Sequence, residues 1–296
     1  MNVNGRDCTI TIKTSHHELD VPYSEETIRE AVSLLQEEAA IEGDGQCKAI
    51  VKKSGVTGCV VTPLTLETVP LLLYLAFGLA GRPFFVSETR NNYSCKLTLL
   101  PLEDTECFDL IQDRQMSNEQ LAVSNERLLF EGCRVKNFEL RIEKEEAIKL
   151  KLDICGERSA VRFPYIDTYK RTKGERFKSD CVDYYFNGKI NNFIYGITLS
   201  VKKLGGTKTE IWIKRILPVN NDLPECIDEL VIISRLLLTK YDRSNYGLFS
   251  IKLKNLVLIS DETNVNAADT VIDPLRYYVS GGMIADVYTS SDEVIA

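Results

Sequence analysis

The sequence predicts a mainly β chain with a few helices, an α+β arrangement of antiparallel strands. Three observations lead there. Apolar and polar residues alternate at "TITIK", "FELRIEK", "AIKLKLDICG" and "KTEIWIKRIL", the period-two pattern of half-buried strands. Glycine pairs at Gly205–Gly206 and Gly281–Gly282 fall between such runs, where hairpin turns need them. Helical spacing is confined to a few stretches.

Along the chain, "TITIK" after Cys8 is the first expected strand. Ser24 to Ala40 is expected to be a helix. Ser24 caps it, Glu25 and Glu26 suit its positive end, and Ile28, Ala31, Val32, Leu35 and Ala39 line one face. "CKAIVKKSGVTGCVVTPLTL" reads as two short β segments around a Ser-Gly turn. A second helix opens near Glu67, tolerates Pro70 in its first turn and ends at Gly78 or Gly81. Because it is apolar nearly all round, it should be deeply covered. "NNYSCKLTLLPL" is a strand, and "EDTECFDLIQDRQ" a short helix or an irregular segment.

The clearest pattern follows, a two-faced hairpin from Leu128 to Gly156. Val135, Phe138, Leu140 and Ile142 are its apolar positions, "EKEE" its turn, and Ile148, Leu150, Leu152 and Ile154 the inner face of its return strand. A phase shift at Asn137–Phe138 suggests a bulge. Strands resume at "DYYFNGKINNFIYGITLSVKKL" and "KTEIWIKRIL", a helix is expected after Pro224, and "YGLFSIKLKNLVLIS" is another strand. "YYVSGGMIADVYTS" reads as a closing hairpin.

Bulk properties bound the function. The chain has 296 residues, 44% of them hydrophobic and 27% charged, and a net charge of −7. An acidic chain lacks the basic face of a nucleic-acid grip, yet acidic walls let polyanions pass without sticking. The nine cysteines include no CxxC pair, so they read as reduced thiols packed in a cytoplasmic protein rather than a zinc site or disulfide framework. "MNVNGRDCTITIK" is not a signal peptide. The oiliest run, "VPLLLYLAFGLA", is short of the roughly 20 residues that span a bilayer.

Chemistry-bearing motifs are absent. His16 and His17 are the only histidines, and as neighbours they point apart on an extended chain. No histidine remains to serve a Ser-His or Cys-His nucleophile. There is no GxSxG, GxxxxGK[ST] or GxGxxG, and "GLAGRP" is helix-end chemistry. Trp212 sits on an alternating strand, as a core or interface anchor does. The expectation is no enzyme, no metal and no cofactor.

Charge is unevenly spread. Glu18 to Gln46 holds nine acidic residues against Arg29 alone, and the tail from Asp261 holds seven against Arg276. Arg162 to Lys178 is basic, with six cations and two acids. These are solvated surfaces, or complementary patches through which copies of one chain meet, or, for the basic segment with Tyr165, Tyr169 and Phe177 between its charges, a phosphate-binding surface. The second reading makes Glu37 and Glu38, and Arg171, Lys173, Arg176 and Lys178, candidate contacts. Phe138, Leu140 and Ile142 of the hairpin are candidates as well. The expected domains are 1–160, a basic connector 161–180, and 181–296. Phe130-x-Gly132 and Phe186-x-Gly188 each lead into an alternating strand, so the halves are either a duplicated unit or two similar hairpins.

The order of features resembles the phage tail tube (major tail) proteins, in their longer form. "SGVTGCVVTPLTLETVPLLLYLAFG" resembles their strand running into a helix that ends Leu-x-x-Ala-x-Gly. "LLFEGCRVKNFELRIEKEEAIKLKLDICG" is similar to their tube hairpin, and "YFNGKINNFIYGITLSVKK" looks like the same element again. The resemblance spans Gly45 to Tyr288 and leaves the first 40 residues unmatched. It implies an antiparallel β-barrel or sandwich whose subunits join edge to edge. The rings would be homo-hexamers, or trimers of a duplicated chain, stacked into a hollow tube that conducts DNA. It further implies a place in the virion tail after synthesis in the host bacterial cytoplasm, and tape-measure, sheath or terminator partners. The face lining such a tube is expected to carry more acids than bases. A terminator, neck or baseplate ring, a carbohydrate-binding β-sandwich, and an enzyme with convergent carboxylates are the alternatives.

Overall fold

The computed structural model describes residues 2–3, 9–15, 17–36, 49–78, 84–87, 91–118, 121–156, 161–164, 176–217, 223–237, 246–261 and 271–291. It is mainly β, as the alternation predicts, with one α-helix among the described residues. All pairings of described register are antiparallel.

The chain begins with strands β1 (Asn2–Val3), β2 (Thr9–Lys13) and β3 (Glu18–Val21). Where the sequence predicts a helix from Ser24, the structure has strands β4 (Glu25–Glu26) and β5 (Arg29–Gln36). The physical reason is strand pairing: β5 pairs with β6 (Ala49–Pro63) from Arg29 to Gln36, a remote partner that overrides local helical spacing. The register shifts between Glu30 and Val32, with the extra residue on β6, where Ser54 and Gly55 stand against Ala31 alone. The same irregularity absorbs the expected Ser-Gly turn. Gly55 takes φ 109° within a single continuous strand instead of reversing the chain.

The helix α1 (Val69–Phe77) lies where expected, with proline in its first turn. Its side chains are buried all round except Tyr74, as its unbroken apolarity demands. Gly78 ends it at φ 102°, its N–H donating to the Tyr74 carbonyl. Strands β7 (Phe84–Ser87) and β8 (Asn91–Thr98) follow. "EDTECFDLIQDRQ" resolves into the end of a short 3-10 turn at Leu102–Asp104 and then a strand, β9 (Phe108–Asn118).

The two arms of the predicted hairpin are both strands, β10 (Leu121–Glu143) and β11 (Lys149–Gly156), with Glu145 at φ 66° in the connection between them. β12 (Val161–Pro164), β13 (Val182–Phe186), β14 (Lys189–Ile190), β15 (Ile194–Lys202) and β16 (Lys208–Leu217) come next. The helix expected after Pro224 is strand β17 (Cys226–Leu237). Three consecutive β-branched residues, Val231 to Ile233, and two long paired ladders override its helical spacing. β18 (Tyr246–Asp261), β19 (Val271–Val279) and β20 (Met283–Ser291) complete the chain.

By contact the chain forms two units that interleave along the sequence rather than dividing it into successive halves. The first comprises Met1–Val60, Cys107–Arg134 and Asp153–Thr172. Here β9 is the centre, with β1 and β2 on one edge and β10 on the other; β3 flanks β2 and β12 flanks β10. Ile10, Ile12, Phe108, Leu110 and Phe130 form its core. Arg127 grips Asp113 with two hydrogen bonds, 2.7 and 2.9 Å, across the β9–β10 ladder.

The second unit comprises Val61–Glu106, Val135–Leu152 and Lys173–Ala296. β10, β15, β16 and β19 pair in that order, and β19 meets the C-terminal half of β18. The N-terminal half of β18 meets β20 instead, which leads on to β8 and β7. β17 runs along the other edge of β18 and is followed by β13 and β14. So β19 and β20, expected as a hairpin, diverge from their turn onto two halves of one strand. Gly281 makes that turn: its N–H donates to the Lys254 carbonyl at 3.0 Å, and a Cβ there would sit 2.5 Å from the same oxygen. In neither unit do the described registers join the outermost strands, and the sheet is not closed into a barrel.

The core of the second unit packs Phe77 of α1 on Phe138 of β10, ring centres 5.1 Å apart. Phe177 meets Phe249 edge to face at 5.3 Å. The two echoed glycines both have positive φ, Gly132 at 65° and Gly188 at 78°. Their sequels differ: Phe138 is buried and Phe193 is exposed. The predicted bulge at Asn137–Phe138 leaves the β10–β15 register unbroken from Asn137 to Glu143; the shift lies earlier, between Phe130 and Cys133.

Candidate functional site

The hairpin has an oily face and a wet one, as its alternation dictates. Phe138, Leu140 and Ile142 are 2%, 1% and 0% exposed. Offered by the sequence as contacts to another copy, they are spent instead in the core of their own chain. Leu150, Leu152 and Ile154 on the inner face of β11, and Ile148 just before it, are all fully buried.

The outward residues line up in rows across four strands. Glu139 stands opposite Ser200, Ser200 opposite Glu210, and Glu210 opposite Tyr278. The next row is Arg141, Thr198, Trp212 and Arg276. Charges on this face neutralise one another. Arg141 pairs with Glu139, Lys214 with Glu143 at 2.7 Å, and both Lys208 (2.7 Å) and Arg276 (2.6 Å) with Glu210. Burial pushes the Glu210 carboxyl up, but hydrogen bonds and charge from Lys208 and Arg276 outweigh it and hold it below the usual range. Arg276 also lies over the Trp212 ring at 4.8 Å, so the tryptophan is capped rather than open as a sugar platform. The expected excess of acid is not a property of these rows, where acids and bases alternate.

Large apolar side chains reach solvent at the margins. Val257 faces outward beside Tyr278, and Ile259 follows it on β18. Ile190 and Phe193 flank the start of β15, and Leu204, at its far end, is 69% exposed. Beside Leu204, Lys203 is 3% exposed, and its Nζ has no hydrogen-bond acceptor among the described residues. Burial pushes its ammonium down to about 8. Sequence reasoning passed over this tip, although "KKLGG" puts an apolar residue between lysines and a glycine turn, where a solvated loop has no use for leucine.

Of the charged candidates, Arg176 and Lys178 are exposed, bridging to Thr65 and Ala147 on either side of buried Phe177. Arg171, Lys173, Glu37 and Glu38 lie outside the described residues, as does His16. His17 is exposed in the turn that Thr14 closes. Among the described residues no cluster of His, Cys, Asp or Glu is arranged to hold a metal ion. Burial, with the nearby charges of Asp109, Cys155 and Cys107, pushes the Cys133 thiol up to about 12, which leaves it inert. No helix of the described residues is long and apolar enough to cross a membrane. No protein-family model matches the chain, and no curated protein matches it.

Proposed function

We propose that this chain is a structural, self-assembling subunit that builds stacked rings, forming a hollow tube of the phage tail kind through which DNA passes. The observation that carries the reading is the outward face of β10, β15, β16 and β19. It is broad and regular, Arg141, Lys208, Lys214 and Arg276 are paired with carboxylates of neighbouring rows, and its apolar counterpart is wholly buried. Such a wall is wet and nearly neutral, so a polyanion slides along it without being held. Lining a channel needs that property and no reactive group.

We read the sheet margins as the joints: among the described residues β5 has its register with β6 and β7 with β8. An edge left open in a lone molecule is a hazard, and a ring of copies turns it into a joint. The virion tail is the place this reading gives the protein. Electron microscopy of the purified protein tests it: long hollow tubes are expected. Single rings that never stack would favour a terminator or baseplate component, and isolated monomers would end the reading.

A further inference from the structure

We propose that the β15–β16 hairpin tip, Lys202 to Lys208, is a docking surface for the acidic stretch Glu18–Glu30 of a second copy of this chain. The inference rests on the self-assembly reading and names one of its contacts. Three features of the tip ask for an acidic, partly apolar partner. Lys202 stands directly opposite Lys208, a like-charged cross-strand pair of which, among the described residues, only Lys208 is answered, by Glu210 at 2.7 Å. Lys203, next in the chain, is a third cation, its amine buried and without an acceptor among the described residues. Leu204 projects from the same turn with most of its surface in water.

A free phosphate would answer the charge and leave Leu204 exposed. A protein strand answers both. The chain itself carries the complement: between Glu18 and Glu30 the sequence has five acids, Glu18, Asp20, Glu25, Glu26 and Glu30, and one base, Arg29, with Asp20 and Glu26 also bonded within their own chain, to Thr11 and to Gln112. Glu18 and Glu25 are exposed, and Glu18 is held only by Lys13 at 3.6 Å, with both side chains more than half exposed. Carboxylates seated over the tip relieve the Lys202–Lys208 repulsion and lower the field at Lys203, where a low dielectric makes each charge count for more. The contact joins two different surfaces, so it is heterologous and repeats from copy to copy, closing a ring or extending a stack.

The test is zero-length carbodiimide cross-linking of an equimolar mixture of 14N- and 15N-labelled full-length protein, read by mass spectrometry. Mixed-isotope peptides joining Lys202 or Lys208 to Glu18, Asp20, Glu25, Glu26 or Glu30 are expected. They should fall at least tenfold in Lys202→Glu/Lys208→Glu and return when that variant is mixed with Glu18→Lys/Glu25→Lys. Leu204→Asp should lower their yield while leaving the thermal midpoint within a few degrees. Assemblies whose mixed-isotope links join other residues would overturn this contact and leave self-assembly standing. Links within one copy only, in a sample that light scattering finds monomeric, would overturn both. Tip-dependent binding of a fluorescent single-stranded DNA, lost in Lys202→Glu/Lys208→Glu, would assign the tip to phosphate and overturn the proposal.

Discussion

The guanidinium of Arg276 lies 4.8 Å from the centre of the Trp212 ring while donating to Glu210 at 2.6 Å. One cation thus ties β19 to two outward residues of β16, on the face proposed to line a channel. Arg276→Ala should lower unfolding free energy by about 1 kcal/mol, the size of an exposed cation–π contact plus a partly exposed ion pair. Arg276→Lys should recover less than half, because an ammonium cannot stack and fork together. Urea denaturation checks both through the midpoint at unchanged slope.

Lys203 makes a pH prediction with a definite sign. Its folded value, about 8, lies below its ordinary 10.5. Between those values the unfolded chain holds more protons, so the contribution of this group to stability rises as pH rises from about 8 to 10.5. Below 8 the charged, buried amine costs up to about 3 kcal/mol at 1.36 kcal/mol per unit. Lys203→Met should therefore stabilise the isolated fold by about 1–3 kcal/mol at pH 7, with the gain fading toward pH 10.5. Chemical denaturation at the two pH values measures it. A gain unchanged with pH would show that packing, not charge, is responsible.

Core and face should respond oppositely along β10. Ile142→Ala opens a cavity at a fully buried position and should cost about 2–5 kcal/mol. Glu139→Gln, one residue from a buried neighbour but outward, should cost under about 1 kcal/mol. Calorimetric midpoints separate the two.

Gly281→Val tests the way β19 and β20 part over β18. A Cβ would meet the Lys254 carbonyl at 2.5 Å, so the turn must lift or lose its hydrogen bond to Lys254. A loss of about 2 kcal/mol is expected, whereas Gly282→Ala, with nothing within 4 Å of its Cβ, should cost under about 1 kcal/mol. Thermal denaturation of the pair measures the contrast.

Much of this fold could be read from alternation alone. β2, β10, β11, β15, β16 and β18 announce themselves by it, and α1 by an apolar run opened by proline and closed by Gly78. The failures share a cause. β5 and β17 carry apolar residues three and four apart, a spacing that a strand with apolar residues on both faces shows as readily as a helix does. Only the partner strands, β6 for one and β13 with β18 for the other, decide between them, and partners are remote in sequence. The branching at β18 is hidden for the same reason: Gly281–Gly282 signals a turn and says nothing of which strand each arm will join. As for the site, the wet face of the hairpin was legible from Glu139, Arg141 and Glu143. Its neutralisation was not, because Lys214 and Arg276 come from other strands. Phe138, Leu140 and Ile142 look alike whether their apolar face is covered by α1 or by a second copy.

The central claim is that the chain completes itself only among copies of itself. Sedimentation velocity of the full-length protein across a hundredfold range of concentration, with electron microscopy of the same samples, tests it most directly. The account predicts ring-sized species that grow into hollow tubes as concentration rises. A single sharp boundary at the 33.5 kDa monomer, unchanged over the whole range, would contradict it.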